Sequence, residues 1–216
     1  MASRMQIGVI GLGTFGHVFA KRVMELEHDV VGLDLDPEKV RKAQDDLTQV
    51  YEGDGRDSTV LEQLGFHEFD HVIVSVGSAM ESSVLITLHL KELEADSIRV
   101  KAISWDHEKI LRKVGANEVF FPERYAAYQM ALSIAVPGLV DYLPVSGGLV
   151  VRKIEVDKWA GKSLRELNLT NKYDMLVVSI EREKDGVLHF PTADKTLQKG
   201  DSLVVFARES DSEIES

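Results

Sequence analysis

Six short apolar runs alternate with helix-like segments over the first 121 residues, and this alternation limits the fold more than any other feature of the chain. Gln6–Ile10, Asp29–Leu33, Gln49–Glu52, Val72–Val76, Arg99–Ile103 and Glu118–Phe121 read as strands. Between them, apolar residues recur at helical spacing, with Phe15, Val18, Phe19, Val23 and Leu26 after the first run and Val84, Leu85, Leu88 and Leu93 after the fourth. Pro37 with Asp36 as N-cap starts a second helix. Ser58 is expected to cap a third, running to Leu64 and stopped by Gly65, and a helix over Asp106–Val114 stops at Gly115. Strands interleaved with helices make a parallel sheet covered on both faces. Six of them fill a Rossmann-like, doubly wound α/β unit.

Past residue 122 the pattern changes. Glu123–Val136 reads as a helix broken by Pro137-Gly138, Leu139–Leu143 as a further helical turn, and Ser146-Gly147-Gly148 as a joint. A small α+β module follows. Its expected strands are Leu149–Val156, Met175–Glu181, Val187–Phe190 and Ser202–Ala207, with a short helix over Ser163–Leu167 and a turn at Lys199-Gly200-Asp201. The expected organisation is therefore a Rossmann-like domain over residues 1–122, crossover helices over 123–145, a C-terminal module over 146–210 and an acidic tail over 211–216.

Charge and composition remove several function classes. With 36 acidic against 25 basic residues the formal charge is −11, which repels a polyphosphate backbone and argues against nucleic-acid binding. Cysteine is absent, so disulfides, thiolate nucleophiles and cysteine–zinc sites are absent with it. MASRMQIGVIG enters the first strand too soon for a signal peptide, and no apolar run approaches the ~18 residues of a membrane span. No direct membrane insertion is expected, and the composition fits a reducing cytoplasm.

The segment between the first strand and helix reads Gly11-Leu12-Gly13-Thr14-Phe15-Gly16, a G-x-G-x-x-G in the strand–turn–helix setting that gives this motif its meaning. Gly11 permits the tight turn, Gly13 lets backbone approach a pyrophosphate, and Gly16 lets the helix pack closely. The helix start then offers unpaired N–H groups and a partial positive charge to an anion. Asp34, about 20 residues on, stands where an acid accepts from ribose hydroxyls and would repel a 2′-phosphate, so NADP is disfavoured. Asp54 in GDGRD suits an adenine amino group, Gly77 in SVGSA allows close approach to the ring, and Lys101 can reach a phosphate.

A dehydrogenase would need a proton-transfer group beyond the cofactor domain. His107 is the foremost candidate; His17, His28, His67, His71, His89 and His189 are scattered, with no H-x-x-x-H or H-E-x-x-H spacing. A small NAD-dependent oxidoreductase thus stands as the alternative reading. A redox-sensing transcription factor would require a basic winged-helix or helix-turn-helix module, for which the chain has no room.

IGVIGLGTFG, VVGLDLDPEKV, YEGDGRD, HVIVSVGS, RVKAIS and LRKVGANEVFFPE occur in that order, followed by WAGKSLRELNLTNKYDMLVVSI and TLQKGDSLVVFA. Over residues 5–207 this series resembles the RCK domain (regulator of K⁺ conductance) of the cytoplasmic subunits of Ktr- and Trk-type potassium uptake systems. The resemblance implies a regulatory subunit and not an enzyme. It implies dimers that assemble into an octameric ring beneath an integral-membrane, potassium-channel-like subunit, with the chain on the cytoplasmic side and peripheral to the membrane. It also implies an adenine nucleotide, ATP/ADP or NAD/NADH, held by Gly11, Gly13, Thr14, Phe15, Gly16, Asp34, Asp54, Gly77, Lys101 and Glu123. Glu123 is in addition a candidate for an inter-subunit cation; no other metal ligand is indicated. Ala126, Ala127, Met130, Ile134, Leu139 and Leu143 would supply the dimer contact. ATP-preferring members often carry arginine where this chain has Thr14, and cyclic di-AMP binders often carry arginine where it has Thr170. Both departures weaken the case for those two ligands.

Overall fold

A computed structural model of the chain describes residues 3–76, 80–135, 139–145, 149–182 and 188–208. Gly77, Pro137-Gly138, the Ser146-Gly147-Gly148 joint, Val187 and the acidic tail lie outside the described residues. The chain divides into two compact units, Met1–Pro122 and Glu123–Ser216.

In the first unit, β1 (Gln6–Ile10), β2 (Asp29–Asp34), β3 (Gln49–Glu52), β4 (His71–Val74), β5 (Ile98–Lys101) and β6 (Glu118–Phe120) pair in parallel in the order β3-β2-β1-β4-β5-β6. They alternate with α1 (Thr14–Glu25), α2 (Pro37–Ala43), α3 (Ser58–Gln63), α4 (Met80–Glu92) and α5 (Trp105–Val114). Successive strand residues point to opposite faces, so one sheet feeds two cores. Ile7, Val9, Val30 and Ile73 pack with Ala20, Val23 and Ala43 of α1 and α2. Ile10, Val31, Leu33, Val72, Val74 and Ile98 pack on the other face with Leu61, Ile86, Leu90 and Leu111.

Helix starts follow the side chains able to accept N–H groups. Asp36 Oδ1 accepts from Glu38 N–H at 2.9 Å and Ser104 Oγ from His107 N–H at 3.1 Å. The third helix corrects the expectation from sequence: its cap is Asp57, whose Oδ1 accepts from Thr59 N–H at 2.9 Å, and Ser58 is already helical. A carboxylate one residue earlier is correctly spaced for the second helical N–H.

The second unit contains α6 (Pro122–Ala135, its first residue in the preceding unit) and an antiparallel sheet. The sheet's strands are β7 (Leu139–Val145), β8 (Leu149–Glu155), β9 (Leu176–Glu181), β10 (Leu188–His189) and β11 (Ser202–Arg208), in the order β10-β9-β11-β8-β7. Two short helices, α7 (Leu164–Leu167) and α8 (Leu169–Tyr173), contribute Leu167 and Leu169 to a core with Ile154, Met175, Ile180, Leu203 and Val205. The helical turn expected at Leu139–Leu143 is instead strand β7, paired antiparallel with β8. LVDYLPV carries two valines and a tyrosine, which favour a strand, and β7 is an edge strand, the position in a sheet that tolerates a proline such as Pro144. Leu139 and Leu143 are therefore not part of a helical contact surface. Among the described residues, helix α8 and a single 3-10 turn at Phe66–Glu68 were not expected from the sequence; Asn168 in the left-handed region, φ 49°, joins α8 to α7.

Among the described residues no helix is long and apolar enough to cross a membrane.

Candidate nucleotide-binding site

The C-terminal ends of β1, β2, β3 and β4 are tied together by backbone. Gly11 N–H donates to Leu33 O at 2.8 Å, Ser75 N–H to Ile10 O at 2.7 Å, and Gly53 N–H to Asp34 O at 3.1 Å. Over this seam opens a cleft of roughly 370 Å³ lined by Ile10, Gly11, Gly13, Leu33, Asp34, Leu35, Lys39, Gly53, Asp54, Gly55, Arg56, Ser75, Val76, Ser82 and Ile86. It lies at the carboxyl edge of the sheet beside β1, where the strand order reverses, the place open α/β sheets reserve for ligands.

The three motif glycines do different jobs. Gly11 has φ 94°, and a Cβ there would lie 2.4 Å from Ser75 O; at Gly16 it would lie 1.9 Å from Gly11 O. Both are glycine because the fold has no room for a side chain. Around Gly13 a Cβ would meet nothing within 4 Å, and Gly13 lines the cleft. Its missing side chain keeps open the space above the start of α1. Gly13 is the N-cap of α1, with no side-chain cap bond and no acid in the first turn, whereas α2, α3, α5 and α7 are each capped by a side chain. An uncapped helix start on an open cleft presents donors and a partial positive charge suited to a phosphate.

Asp34, 8% exposed, braces this loop. Its Oδ2 accepts from Leu12 N–H at 2.7 Å, its Oδ1 from Asp36 N–H at 2.9 Å, and Lys39 Nζ stands 3.5 Å away. Oδ2, with Leu12 N–H as its one donor here, retains a lone pair for a ribose hydroxyl. Asp54 is bound along one edge of the Arg56 guanidinium, which holds its carboxyl below the usual carboxylate range, and the Arg56 N–H adds a backbone bond to it. The cleft thus balances two carboxylates with two cations, leaving a ligand's phosphate charge to the end of α1.

Of the residues singled out from sequence, Gly11, Gly13, Asp34 and Asp54 come together on the cleft. Gly16, in the first turn of α1, is buried against the Gly11 carbonyl and is not a lining residue. Thr14 is exposed at the first position of α1 and is not among the lining residues. Phe15 is turned into an aromatic cluster, its ring centroid 5.2 Å from Phe120 and 6.1 Å from Phe19. Lys101, on β5, is half-buried and outside the lining, and Glu123 is exposed in the first turn of α6, in the other unit. Lys39 and Arg56 are further lining cations, which no motif spacing in the sequence marks.

His107 is 1% exposed. Ser83 Oγ donates to Met80 O, so it accepts from His107 Nε2–H at 2.8 Å, while Nδ1 accepts from Ile103 N–H at 3.3 Å. Burial lowers its pKa, so this histidine is a neutral tie between α4 and α5 and lies away from the cleft lining.

Residues 7–122 match the TrkA-N domain family and residues 149–214 the TrkA-C domain family. The Ktr system potassium uptake protein C of Bacillus subtilis (strain 168) is 36% identical over 209 residues, covering 96% of this chain and 94% of that protein. The chain belongs to the TrkA family. Among solved structures, the GsuK RCK domain superposes with a TM-score of 0.67 at 19% identity, and the GsuK channel bound to NAD with 0.67 at 18%. Each covers 97% of this chain, which spans 46% and 38% of the respective chains, and the likeness establishes an RCK fold.

Proposed function

We propose that this TrkA-family chain is the nucleotide-sensing regulatory subunit of a potassium uptake system. The observation that carries the reading is the uncapped start of α1 on an open cleft at Gly13. It occurs in a chain matched nearly end to end by a protein named for potassium uptake. An adenine nucleotide is the ligand, its phosphates on the α1 start and its ribose on Asp34. A structural neighbour is named as bound to NAD and another as bound to ADP, so both classes stand, while Asp34 disfavours a 2′-phosphate. Gly77, Lys101 and Glu123 complete the ligand set on the strength of the family resemblance.

The role is regulation and not turnover. His107, the foremost proton-transfer candidate, is taken up as a buried tie between α4 and α5, and relatives matched over most of the chain are named for potassium uptake, which supports this reading. Regulation requires a second body. On α6, Tyr125, Tyr128, Met130 (67% exposed) and Ile134 (78% exposed) leave apolar surface uncovered, and this helix is the dimer contact. Dimers build the octameric ring, which sits on the cytoplasmic face of a potassium-channel-like membrane subunit. Nucleotide exchange favours one dimer geometry over another, and the membrane partner follows it. Such coupling needs a difference in ligand affinity between the two states, typically about 1–3 kcal/mol.

The test is potassium flux through a Ktr- or Trk-type membrane subunit reconstituted in vesicles with this chain. Flux that responds to ADP, ATP, NAD⁺ or NADH supports the proposal; flux indifferent to all four rejects it. Oxidation of NADH with a small carbonyl substrate would turn the reading to an oxidoreductase.

A further inference from the structure

The first turn of α4 faces two ways. Ser82 lines the cleft, as does Ile86 one turn further along the same helix. Ser83 is buried, donates to Met80 O at 2.9 Å and accepts from His107 Nε2–H at 2.8 Å. The other nitrogen of that ring, Nδ1, accepts from Ile103 N–H at 3.3 Å in the connection between β5 and α5. One imidazole therefore fastens the start of α4, and with it part of the cleft lining, to the segment that follows β5.

The tie exists for one protonation state. Both bonds use the neutral ring with its hydrogen on Nε2, and a second proton on Nδ1 would meet the Ile103 N–H, donor against donor. That proton would also put a charge at a buried site, where a charge is costly unless paired. On the elements packed around the ring, Glu81, Lys91 and Glu92 of α4 and Glu118 of β6 are exposed, while His89 of α4 and Arg99 and Lys101 of β5 are half-buried. On α5 itself Asp106 is exposed, and Glu108 pairs with Arg112 at 2.8 Å. Burial, and not one of these charges, is what holds the pKa of His107 below its ordinary value.

We infer that His107 is a positioning residue for nucleotide binding: its neutral ring holds the start of α4 in the binding-competent place through Ser83, and acid weakens the nucleotide by releasing it. The inference rests on the nucleotide reading above and adds to it a proton as an opposing effector. A ligand that needs the neutral ring keeps the proton off, and the proton weakens that ligand by the same factor. Affinity is therefore full above about pH 6.5 and falls as pH drops through the pKa of His107 in the ligand-free protein.

The experiment is calorimetric titration of wild type, His107→Gln and Ser83→Ala with ATP, ADP, NAD⁺ and NADH at pH 8 and pH 5. Beside it, exchange of the His107 C2 hydrogen, followed by mass spectrometry across the same range, reads the pKa of this one histidine with and without the tightest nucleotide. Glutamine offers one N–H donor and one carbonyl acceptor and takes up no proton in this range. His107→Gln should bind as wild type does at pH 8, and wild type should lose about fivefold or more affinity at pH 5 beyond what the variant loses. Reading the difference removes the protonation of the nucleotide's own terminal phosphate, which both proteins share. Ser83→Ala keeps the histidine and cuts its link to α4, so acid should cost it less affinity than it costs wild type. In wild type the nucleotide should lower the pKa of His107, an effect that a histidine serving stability alone would not show. Equal acid losses in wild type and His107→Gln, or a His107 pKa that the nucleotide leaves unchanged, would overturn the inference and leave the nucleotide reading standing. Should neither variant fold, the exchange measurement on wild type decides by itself. If wild type binds none of the four at pH 8, the nucleotide reading falls and takes the inference with it.

Discussion

Two of the loop's glycines are separable by what a single methyl group would do. A Cβ at position 16 would lie 1.9 Å from a backbone carbonyl that cannot turn away. Gly16→Ala should therefore destabilise the first unit by at least the ~1–3 kcal/mol typical of overpacking, seen as a lower denaturant midpoint. At position 13 the space is open and the backbone is extended, φ −67° and ψ −172°, which alanine tolerates. Gly13→Ala should cost at most about 1 kcal/mol of helix capping and yet block a phosphate from the α1 start. Asp34 joins both roles. Its removal leaves the Leu12 and Asp36 N–H groups without their acceptor, so Asp34→Ala should lower stability by about 1–3 kcal/mol in a denaturant melt even without ligand. The glycines and Asp34 were legible in the sequence because their spacing is local and their chemistry is shared by phosphate-binding turns. Asp34's brace on Leu12 was not legible, and neither was the place of Arg56, because both depend on which strand ends the sheet brings together.

Among the elements, the parallel sheet declared itself through its central strands β1, β2 and β4, buried on both faces and mostly apolar. Strand β7 did not, because seven residues with Leu at positions 139 and 143 carry helical spacing as well as strand composition, and only pairing with β8 decides between them. Helix α8 was hidden for a related reason: five residues are too few for a period, and the joint is a left-handed Asn168. The tie between α4 and α5 makes a prediction about pH. His107 is buried and neutral, its folded pKa below the ordinary value of about 6.5, so the unfolded chain binds more protons there. The stability this histidine contributes is complete above about pH 6.5 and is lost as pH falls toward the folded pKa. Denaturant melts between pH 8 and 5 should show stability falling at the acid end, with a smaller fall in His107→Gln. An identical slope in the variant would show that other groups carry the acid loss.

Across the whole molecule, the proposed regulation needs both a nucleotide on the first unit and the exposed apolar residues of α6. Ile134→Asp should shift the chain toward a smaller species by light scattering or mass photometry, since a charge on a buried helix contact is costly. The open space above Gly13 is the proposed seat of a nucleotide's phosphates. Isothermal titration of wild type and Gly13→Ala with ATP, ADP, NAD⁺ and NADH, beside their melting curves, tests it most directly. At least one of the four should bind wild type at one site per chain, and Gly13→Ala should lose it while melting within a few degrees of wild type. Equal binding by the two proteins, or no binding of any of the four by wild type, would contradict it.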